Sequence, residues 1–457
     1  MDWEKLAGEK GEAPPSGRFD RLFRVGKLGM SVGASSALQK AKGLFTRTDD
    51  EAFSRDQAAK IVKVLGEMKG GAMKVGQILS SDPDLLPPEM LAQLSQLQSA
   101  APPMPYRMIK EVLEEAFGRP LEYVFASFDP EPIGSASIGQ VHRARLEDGR
   151  DVAVKIQYPG IGSTLRSDLK NLGSVLTMSR VVIEKHKTDA YLAEIERAIL
   201  AESDYAAEAE NLLHFNEVLA QRPGVRAPRP LLEWTRQNVL TMELVRGQKL
   251  DVWLETAPIE DKTAMLARFV DTYAWLFHEQ LELQADPHPG NFIVDSDGTL
   301  VMLDFGCVKR CDPAFADAIL DIMDACWQGE DDRAAQIYRA AGFGKEAHGD
   351  DVFNARKLRE YHEISLEPFL RDEAFDFASW DMRRRLQRFI FDWPTFIKLT
   401  PPAEGLLIFR VLGGIKGLLA KSGGRLNVHR MAVETARRRG RLTGEPLRSA
   451  LLARAPR

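Results

Sequence analysis

An acid, an amide and a second acid stand close together late in the chain, in Asp286-Pro-His-Pro-Gly-Asn291 and then Asp304-Phe305-Gly306. This arrangement constrains the fold more than any other feature, because these side-chain types at this spacing serve one chemistry. An Asp followed five positions later by Asn lets the acid face an acceptor hydroxyl while the amide binds a metal. The Asp of an Asp-Phe-Gly string holds Mg²⁺ bridging the phosphates of ATP. Either string alone is weak, since short motifs recur by chance. Their order carries the information, together with a lysine far upstream.

That lysine lies in Asp151-Val-Ala-Val-Lys155-Ile-Gln157, an apolar run of strand composition. A lysine on such a strand grips the α- and β-phosphates and pairs with a glutamate from a helix. Before it runs Pro132-Ile-Gly134-Ser135-Ala136-Ser137-Ile-Gly139-Gln-Val141, and Glu147-Asp-Gly149 marks a hairpin. The small residues of 134–139 are expected to form a nucleotide-covering turn between the first two strands. A protein kinase carries G-x-G-x-x-G there, whereas this chain has G-S-A-S-I-G. Ala136 and Ser137 thus put side chains where glycine leaves backbone N–H groups open to phosphate. Taken by itself, the stretch also reads as an ordinary small-residue turn.

With 457 residues, 44% of them hydrophobic, the chain can bury a large core in two or three structural units. A net charge of −5 gives no general attraction to nucleic acid. Only Cys307, Cys311 and Cys326 are present, which points to a reducing compartment, free thiols and no zinc set. No run approaches the roughly 18–20 apolar residues that cross a bilayer. Leu406 to Leu419 is interrupted by Arg410, Gly413, Gly414 and Lys416, and reads as a core helix. The first ten residues carry five charges with no apolar run behind them, so the default address is the cytosol.

Along the chain, residues 1–50 form a basic, partly disordered segment. From Arg18 to Arg47, seven basic residues face the single acid Asp20, with Phe19, Leu22, Phe23 and Met30 at helical spacing. Such a segment suits a membrane surface, and equally a helix packed on the main domain with solvated lysines and arginines. Residues 51–120 read as a helical extension: Ser54–Ser80, carrying Lys74-Val-Gly-Gln77, then Pro88–Gln98 and Tyr106–Phe117, the last closed by Gly118. A small lobe follows over 121–245. Its strands are expected at 123–133, 140–146, 151–157, 228–233 and 238–243, with helices at 161–187 and 189–220. Glu243-Leu-Val245-Arg-Gly247 has the character of a hinge whose backbone reads adenine. The large lobe, 246–440, begins with a helix at 260–282, holds a hairpin at 292–303, and runs through helices from Pro313 to about Ala436. The Arg437-Arg-Arg439 stretch reads as a solvated end, before a tail at 441–457.

A lysine on the third strand needs an opposing carboxylate to stay charged and aimed. Glu202, Glu208 and Glu210 of the 189–220 helix are all candidates, and periodicity leaves the choice open. Taken together, K-x-G-Q at 74–77, the small-residue loop at 134–141, Val152-Ala-Val-Lys155, E-x-D-Y-x-x-E-A at 202–209, D-x-x-x-x-N at 286–291 and Asp304-Phe-Gly resemble the UbiB family of atypical kinases. That family is AarF-like and linked to ubiquinone biosynthesis, and the similarity covers about residues 55–330. The resemblance implies an α+β, bilobal protein-kinase-like fold with a helical N-terminal extension and a helical C-terminal lobe. It further implies Lys155 as the phosphate-binding lysine, Glu208 as its partner, Asn291 and Asp304 as Mg²⁺ ligands, and Asp286 at the catalytic-base position. Gly134, Ser135, Ala136, Ser137, Gly139, Val141 and Ala153, with Glu243 and Val245 of the hinge, would complete the ATP contacts. Lys74 and Gln77 would form a lid, Lys74 pairing with Glu202 beside Asp204, over the groove where a peptide lies in ordinary protein kinases.

Two absences agree with that picture. No Ala-Pro-Glu follows Asp304-Phe-Gly306, and Gln284-Ala285 stands where regulated kinases carry His-Arg. The leading expectation is an ATP- and Mg²⁺-dependent atypical kinase or ATPase supporting quinone biosynthesis or isoprenoid-lipid handling. Its partners would be a membrane surface, a quinone-precursor lipid or quinone-biosynthesis proteins, and its place the cytoplasm or the inner face of a membrane. A small-molecule phosphotransferase like the aminoglycoside and choline kinases shares the Asp…Asn loop but lacks Lys74-Val-Gly-Gln77. A nucleotide-binding scaffold without turnover is the third reading.

Overall fold

The structure is a computed structural model that describes residues 104–136, 138–161, 193, 196–197, 200–344 and 350–446. The basic 18–47 segment, Lys74, Gln77, Ser137 and, apart from Ile161, the helix expected at 161–187 lie outside the described residues. The chain divides into two compact units. The first contains the described residues up to Asn216, then Pro228–Val245 and Phe305–Cys307. Glu217–Ala227, Arg246–Asp304 and the chain from Val308 onward make up the second.

The first unit opens with α1 (Tyr106–Phe117), whose Ile109, Val112 and Leu113 form one buried stripe. Gly118 ends it in the left-handed conformation, φ 66°, donating back to the Glu114 carbonyl as helix-closing glycines do. Then come β1 (Ser127–Ala136), β2 (Gly139–Arg145) and β3 (Asp151–Gln157). Helix α2 (Tyr205–Leu219) follows, then β4 (Val225–Arg226), which belongs to the second unit, and β5 (Val239–Glu243). The strands form an antiparallel sheet in the order β1-β2-β3-β5. Side chains alternate across a strand, so Val152, Val154 and Ile156 of β3 face one way. They pack into a core with Ile109, Val112 and Leu113 of α1, Leu146 and Val239. Ala153 and Lys155 therefore point to the other face.

Several expectations are corrected here. Residues 121–123 form a 3₁₀ turn, and β1 starts at Ser127. The stretch 134–136 is strand rather than turn, because the ladder continues: Gly134 pairs with Val141, Ser135 with Gln140 and Ala136 with Gly139. The ladder closes at the Ala136–Gly139 pair. Residues 228–233 make no strand; Pro228 and Pro230 lack the N–H a ladder needs, and only a bridge from Pro230 to Met242 forms. Glu202 and Asp204 lie off the helix expected there. Ser203 and Asp204 turn back through their N–H groups onto the Leu200 and Ala201 carbonyls. Asp204 Oδ1 then accepts the Ala207 N–H at 3.1 Å, starting α2.

In the second unit, β6 (Gly247–Lys249) leads into α3 (Leu250–Thr256) and α4 (Ile259–Trp275). Helix α4 passes into a π-helical turn, Leu276–Gln280, ended by Leu281 at φ 59°. The helix expected over 260–282 is thus broken before its end, and β7 (Glu282–Gln284) takes up the chain. The hairpin β8 (Phe292–Asp295) and β9 (Leu300–Met302) lies where the Asp295-Ser-Asp-Gly298 turn predicts it, in a sheet ordered β4-β9-β8-β6. After Asp304, β10 (Val308–Arg310) pairs antiparallel with β7.

The rest is mainly helical: α5 (Pro313–Gln328), α6 (Asp331–Ala340), α7 (Ala355–Ser365), the short α8 (Glu367–Leu370), α9 (Met382–Asp392), α10 (Gly405–Ser422) and α11 (Val428–Arg438), with one short antiparallel ladder between Phe375–Asp376 and Arg425–Leu426. Of the arginines after Ala436, Arg437 is exposed and pairs with the surface glutamates Glu434 and Glu445, whereas those that follow are tied back to the second unit. Arg439 pairs with Asp317 at 2.8 Å, Arg441 with Asp321, and Arg438 with Glu279 at 2.9 Å. Asp317 and Asp321 lie one turn apart on α5 and receive this basic run, while Asp324, next along the same row, takes Arg333 and Thr443. All three cysteines are buried and stand outside any disulfide. Burial pushes the Cys311 thiol up to about 12, so it stays protonated. Among the described residues no helix is long and apolar enough to cross a membrane.

Candidate active site

Lys155 is a buried cation, and its position follows from strand alternation. The same alternation that sends Val154 and Ile156 into the core aims Lys155 at α2. Helix α2 answers with a stripe at positions 205, 208, 212 and 215, all at most 1% exposed, the spacing of one helix face. Three members of that stripe are Tyr205, Leu212 and Phe215; the fourth is Glu208. Lys155 Nζ donates to both carboxylate oxygens of Glu208 at 2.8 Å. It also lies 4.9 Å from the centre of the Tyr205 ring. A charge this deep persists only when paired and hydrogen-bonded. Glu210 is exposed. The stripe was present in the sequence and would have chosen Glu208, since no other candidate shares a face with Tyr205 and Phe215. Glu202 is buried and Asp204 caps α2, while Lys74, expected to meet Glu202, lies outside the described residues.

The β1–β2 hairpin lies in the same unit. Val141 stands opposite Lys155 in the ladder, and Ala153 opposite Met242 of β5. A Cβ on Gly139 would come within 2.2 Å of the Ile156 carbonyl and 2.9 Å of the Tyr205 hydroxyl. Glycine is required there by backbone approach. Gly134 has nothing within 4 Å of such an atom. A polar relay missing from the sequence reading fixes this hairpin. The Met104 N–H donates to Gln140 Oε1 at 2.8 Å, leaving Gln140 Nε2 to donate to His142 Nε2 at 2.7 Å. His142 Nδ1 then donates to the Asp129 carbonyl at 2.8 Å. Burial holds the imidazole pKa below its usual value, as this neutral tautomer requires. We predict that Gly139→Ala destabilises the protein by about 1–3 kcal/mol, the usual range for overpacking, whereas Gly134→Ala leaves the melting temperature unchanged. Differential scanning calorimetry of the two variants decides; equal effects would refute the distinction.

Glu243 ends β5, and its carboxylate accepts the Arg229 N–H at 3.3 Å. Val245 follows, half-buried, and ends the 228–245 segment of the first unit. Phe305 also belongs to this unit. It is fully buried against Phe215, ring centres 4.5 Å apart, and Asn211 Nδ2 donates to its carbonyl at 2.9 Å. The backbone immediately after Asp304 is thereby pinned to α2.

In the second unit, the loop from Asp286 to Asn291 is held by side chains from three directions. Asn291 Nδ2 donates to the Asp286 carbonyl at 3.1 Å, so its amide oxygen is turned the other way. Gln284 Nε2 donates to the same carbonyl at 2.9 Å, and Gln284 Oε1 accepts from the Tyr273 hydroxyl at 2.5 Å. Burial, with Asp286 nearby, pushes the Tyr273 phenol well above its usual pKa, so it remains a neutral donor. His288 Nδ1 accepts the Gly290 N–H at 3.1 Å, and the Leu303 N–H donates to the Asn291 carbonyl at 2.8 Å. Arg410 of α10, only 5% exposed, donates through Nη2 to Asp286 Oδ1 at 2.9 Å. The sequence shows Gln284 beside the loop and Arg410 within an apolar helix, but neither pattern shows that Arg410 and Tyr273 support Asp286. Arg410 is the one arginine between Leu406 and Leu419, a stretch that also holds Lys416, and a charge set among apolar residues is the signal that points to it.

The site residues thus fall into two sets. Lys155, Glu208, the hairpin residues and Glu243 belong to the first unit; Asp286, Asn291 and Asp304 belong to the second. A Mg²⁺ ion prefers hard oxygen donors and keeps waters and substrate phosphates among its ligands. The Asn291 amide oxygen and the Asp304 carboxylate are donors of that kind.

Comparison with known proteins gives the family. A family model described as an ABC1 atypical kinase-like domain matches residues 96–338. The chain is 30% identical over 438 residues to the mitochondrial atypical kinase coq-8 of Caenorhabditis elegans, covering 89% of this chain and 56% of that protein. It is 30% identical over 415 residues to the mitochondrial atypical kinase COQ8B of Rattus norvegicus, covering 88% and 77%. With the mitochondrial atypical kinase COQ8 of Saccharomyces cerevisiae, identity is 29% over 439 residues, covering 92% and 85%. The chain spans little more than half the length of the nematode relative. Among solved structures, the complex of Rv3197 with erythromycin from Mycobacterium tuberculosis superposes with a TM-score of 0.60 at 26% identity. That match covers 85% of this chain and 98% of the other.

Proposed function

We propose, for a chain that belongs to the UbiB family of ABC1-type atypical kinases, that it binds Mg-ATP and transfers or hydrolyses the γ-phosphoryl group. The observation that carries this reading is the buried Lys155–Glu208 pair, 2.8 Å to both oxygens. A lysine kept charged and fixed in direction by a glutamate is what the α- and β-phosphates require. Asn291 and Asp304 would hold the metal, which when bound neutralises charge on the phosphates. Asp286 would orient the attacking water or acceptor hydroxyl. Gly134, Ser135, Ala136, Ser137, Gly139, Val141 and Ala153 would cover and flank the nucleotide, and the Glu243–Val245 backbone would read the base. Lys74 and Gln77, with Glu202 and Asp204, would form a lid that excludes a peptide substrate.

The family link supports a role beside quinone biosynthesis or isoprenoid-lipid handling at a membrane surface. Two measurements test the reading. Calorimetric titration with a non-hydrolysable ATP analogue and Mg²⁺ should show saturable binding that Lys155→Met abolishes. ATP hydrolysis should rise when anionic liposomes and a quinone-precursor mimic are added. Equal affinity in wild type and Lys155→Met would overturn the nucleotide site; indifference to liposomes and mimic would remove the lipid role.

A further inference from the structure

We propose that Arg410 of α10 is a positioning residue for Asp286, and that α10 acts as a buttress setting the aim of the loop at 286–291. This rests on the reading of Asp286 as the group that orients the acceptor. Three observations converge. Arg410 is nearly fully buried, although it lies in an otherwise apolar helix face among Leu407, Ile408, Val411 and Ile415. Its guanidinium donates to Asp286 Oδ1 at 2.9 Å across 124 residues of sequence. Four residues further on, one turn along the same face, a Cβ on Gly414 would come within 2.6 Å of the Pro287 ring. The helix therefore approaches the loop at two positions one turn apart, with a charge at one and the absence of a side chain at the other.

The chemical consequence concerns the direction of a carboxylate. An Asp side chain on a loop turns about two bonds, and a reacting oxygen displaced by about 1 Å can lose on the order of 10²-fold in rate. Engaging Oδ1 with a buried guanidinium fixes that torsion and so sets the direction in which the carboxylate faces. The Asp286 main chain is fixed separately, through its carbonyl, by Gln284 and Asn291. Side chain and backbone thus have independent anchors, and loss of Arg410 should release only the side chain. Gly414 lets α10 come close enough for this, because the Pro287 ring cannot move aside as a flexible side chain would.

A mutant cycle on the full chain tests the proposal. Arg410→Met should lower kcat for Mg-ATP hydrolysis on the order of 10²-fold with unchanged affinity for the Mg²⁺–analogue pair. Arg410→Lys should recover part of the rate. In an Asp286→Asn background the Arg410→Met change should have no further effect on kcat, because the carboxylate that Arg410 aims is already gone. Gly414→Ala, which strengthens the helix by propensity, should still lower kcat. An equal loss in both backgrounds, or a change in affinity with kcat intact, would overturn the positioning role while leaving the nucleotide site standing. A wild type that binds the analogue without hydrolysing ATP would overturn it as well. A wild type that binds no Mg²⁺–nucleotide would overturn the proposed function itself, and this inference with it.

Discussion

Glu208→Ala should destabilise the protein by about 3–5 kcal/mol, the usual result of removing one partner from a buried ion pair. The reason is the charge left behind. Lys155 is 7% exposed, and with Glu208 gone its ammonium would lose a carboxylate that now meets it at 2.8 Å through both oxygens. Denaturant unfolding should show the midpoint fall. The double variant Lys155→Met/Glu208→Met should recover most of that loss, since two apolar chains of similar volume replace the charges with their desolvation. Recovery of stability should not bring back nucleotide affinity. This separates a pair retained for binding from one retained for folding. A double variant as unstable as Glu208→Ala, or a single variant as stable as wild type, would contradict the account.

Asp304→Asn should abolish the Mg²⁺ dependence of ATP turnover and lower its rate on the order of 10³-fold. A lost metal carboxylate removes several kcal/mol of charge stabilisation, and each 1.4 kcal/mol is about tenfold. The melting curve should stay that of the wild type. The neighbouring backbone is anchored by Phe305, buried against Phe215, and by the Asn211 amide on its carbonyl; the substitution touches neither. Titrating Mg²⁺ against turnover in wild type and variant provides the check. A variant with wild-type magnesium dependence would remove Asp304 from the metal.

Local elements were legible wherever their stop signals sit in the residues themselves. Helix α1 runs from Tyr106 to Phe117 as read, because an apolar stripe ends at a glycine that can take φ 66°. Strand β3 and the β8–β9 hairpin with its Gly298 turn were legible for the same reason. Boundaries failed where two local rules compete. Glu202-Ser-Asp204 looked like a charged helix run, but Asp204 satisfies a backbone donor better as a cap than it would as a helical residue. The 134–136 stretch looked like a turn from its small residues, yet each found a ladder partner on β2. The α4 helix ended early at a π-helical turn, for which composition gives no warning.

The sequence by itself determined which functional groups are on offer: one lysine on a buried strand, one Asp-x-x-x-x-Asn loop, one Asp-Phe-Gly. It also held, unread, the stripe of Tyr205, Glu208, Leu212 and Phe215 that distinguishes Glu208 from Glu202 and Glu210. Periodicity can do this because helix and strand geometry assign every side chain a direction within a few residues. Only the tertiary structure decided which charges meet. Lys155 finds Glu208 across 53 residues, and Asp286 finds Arg410 across 124. A buried charge is tolerated only where another element delivers its partner to hydrogen-bonding distance, and no local pattern says which distant helix that will be.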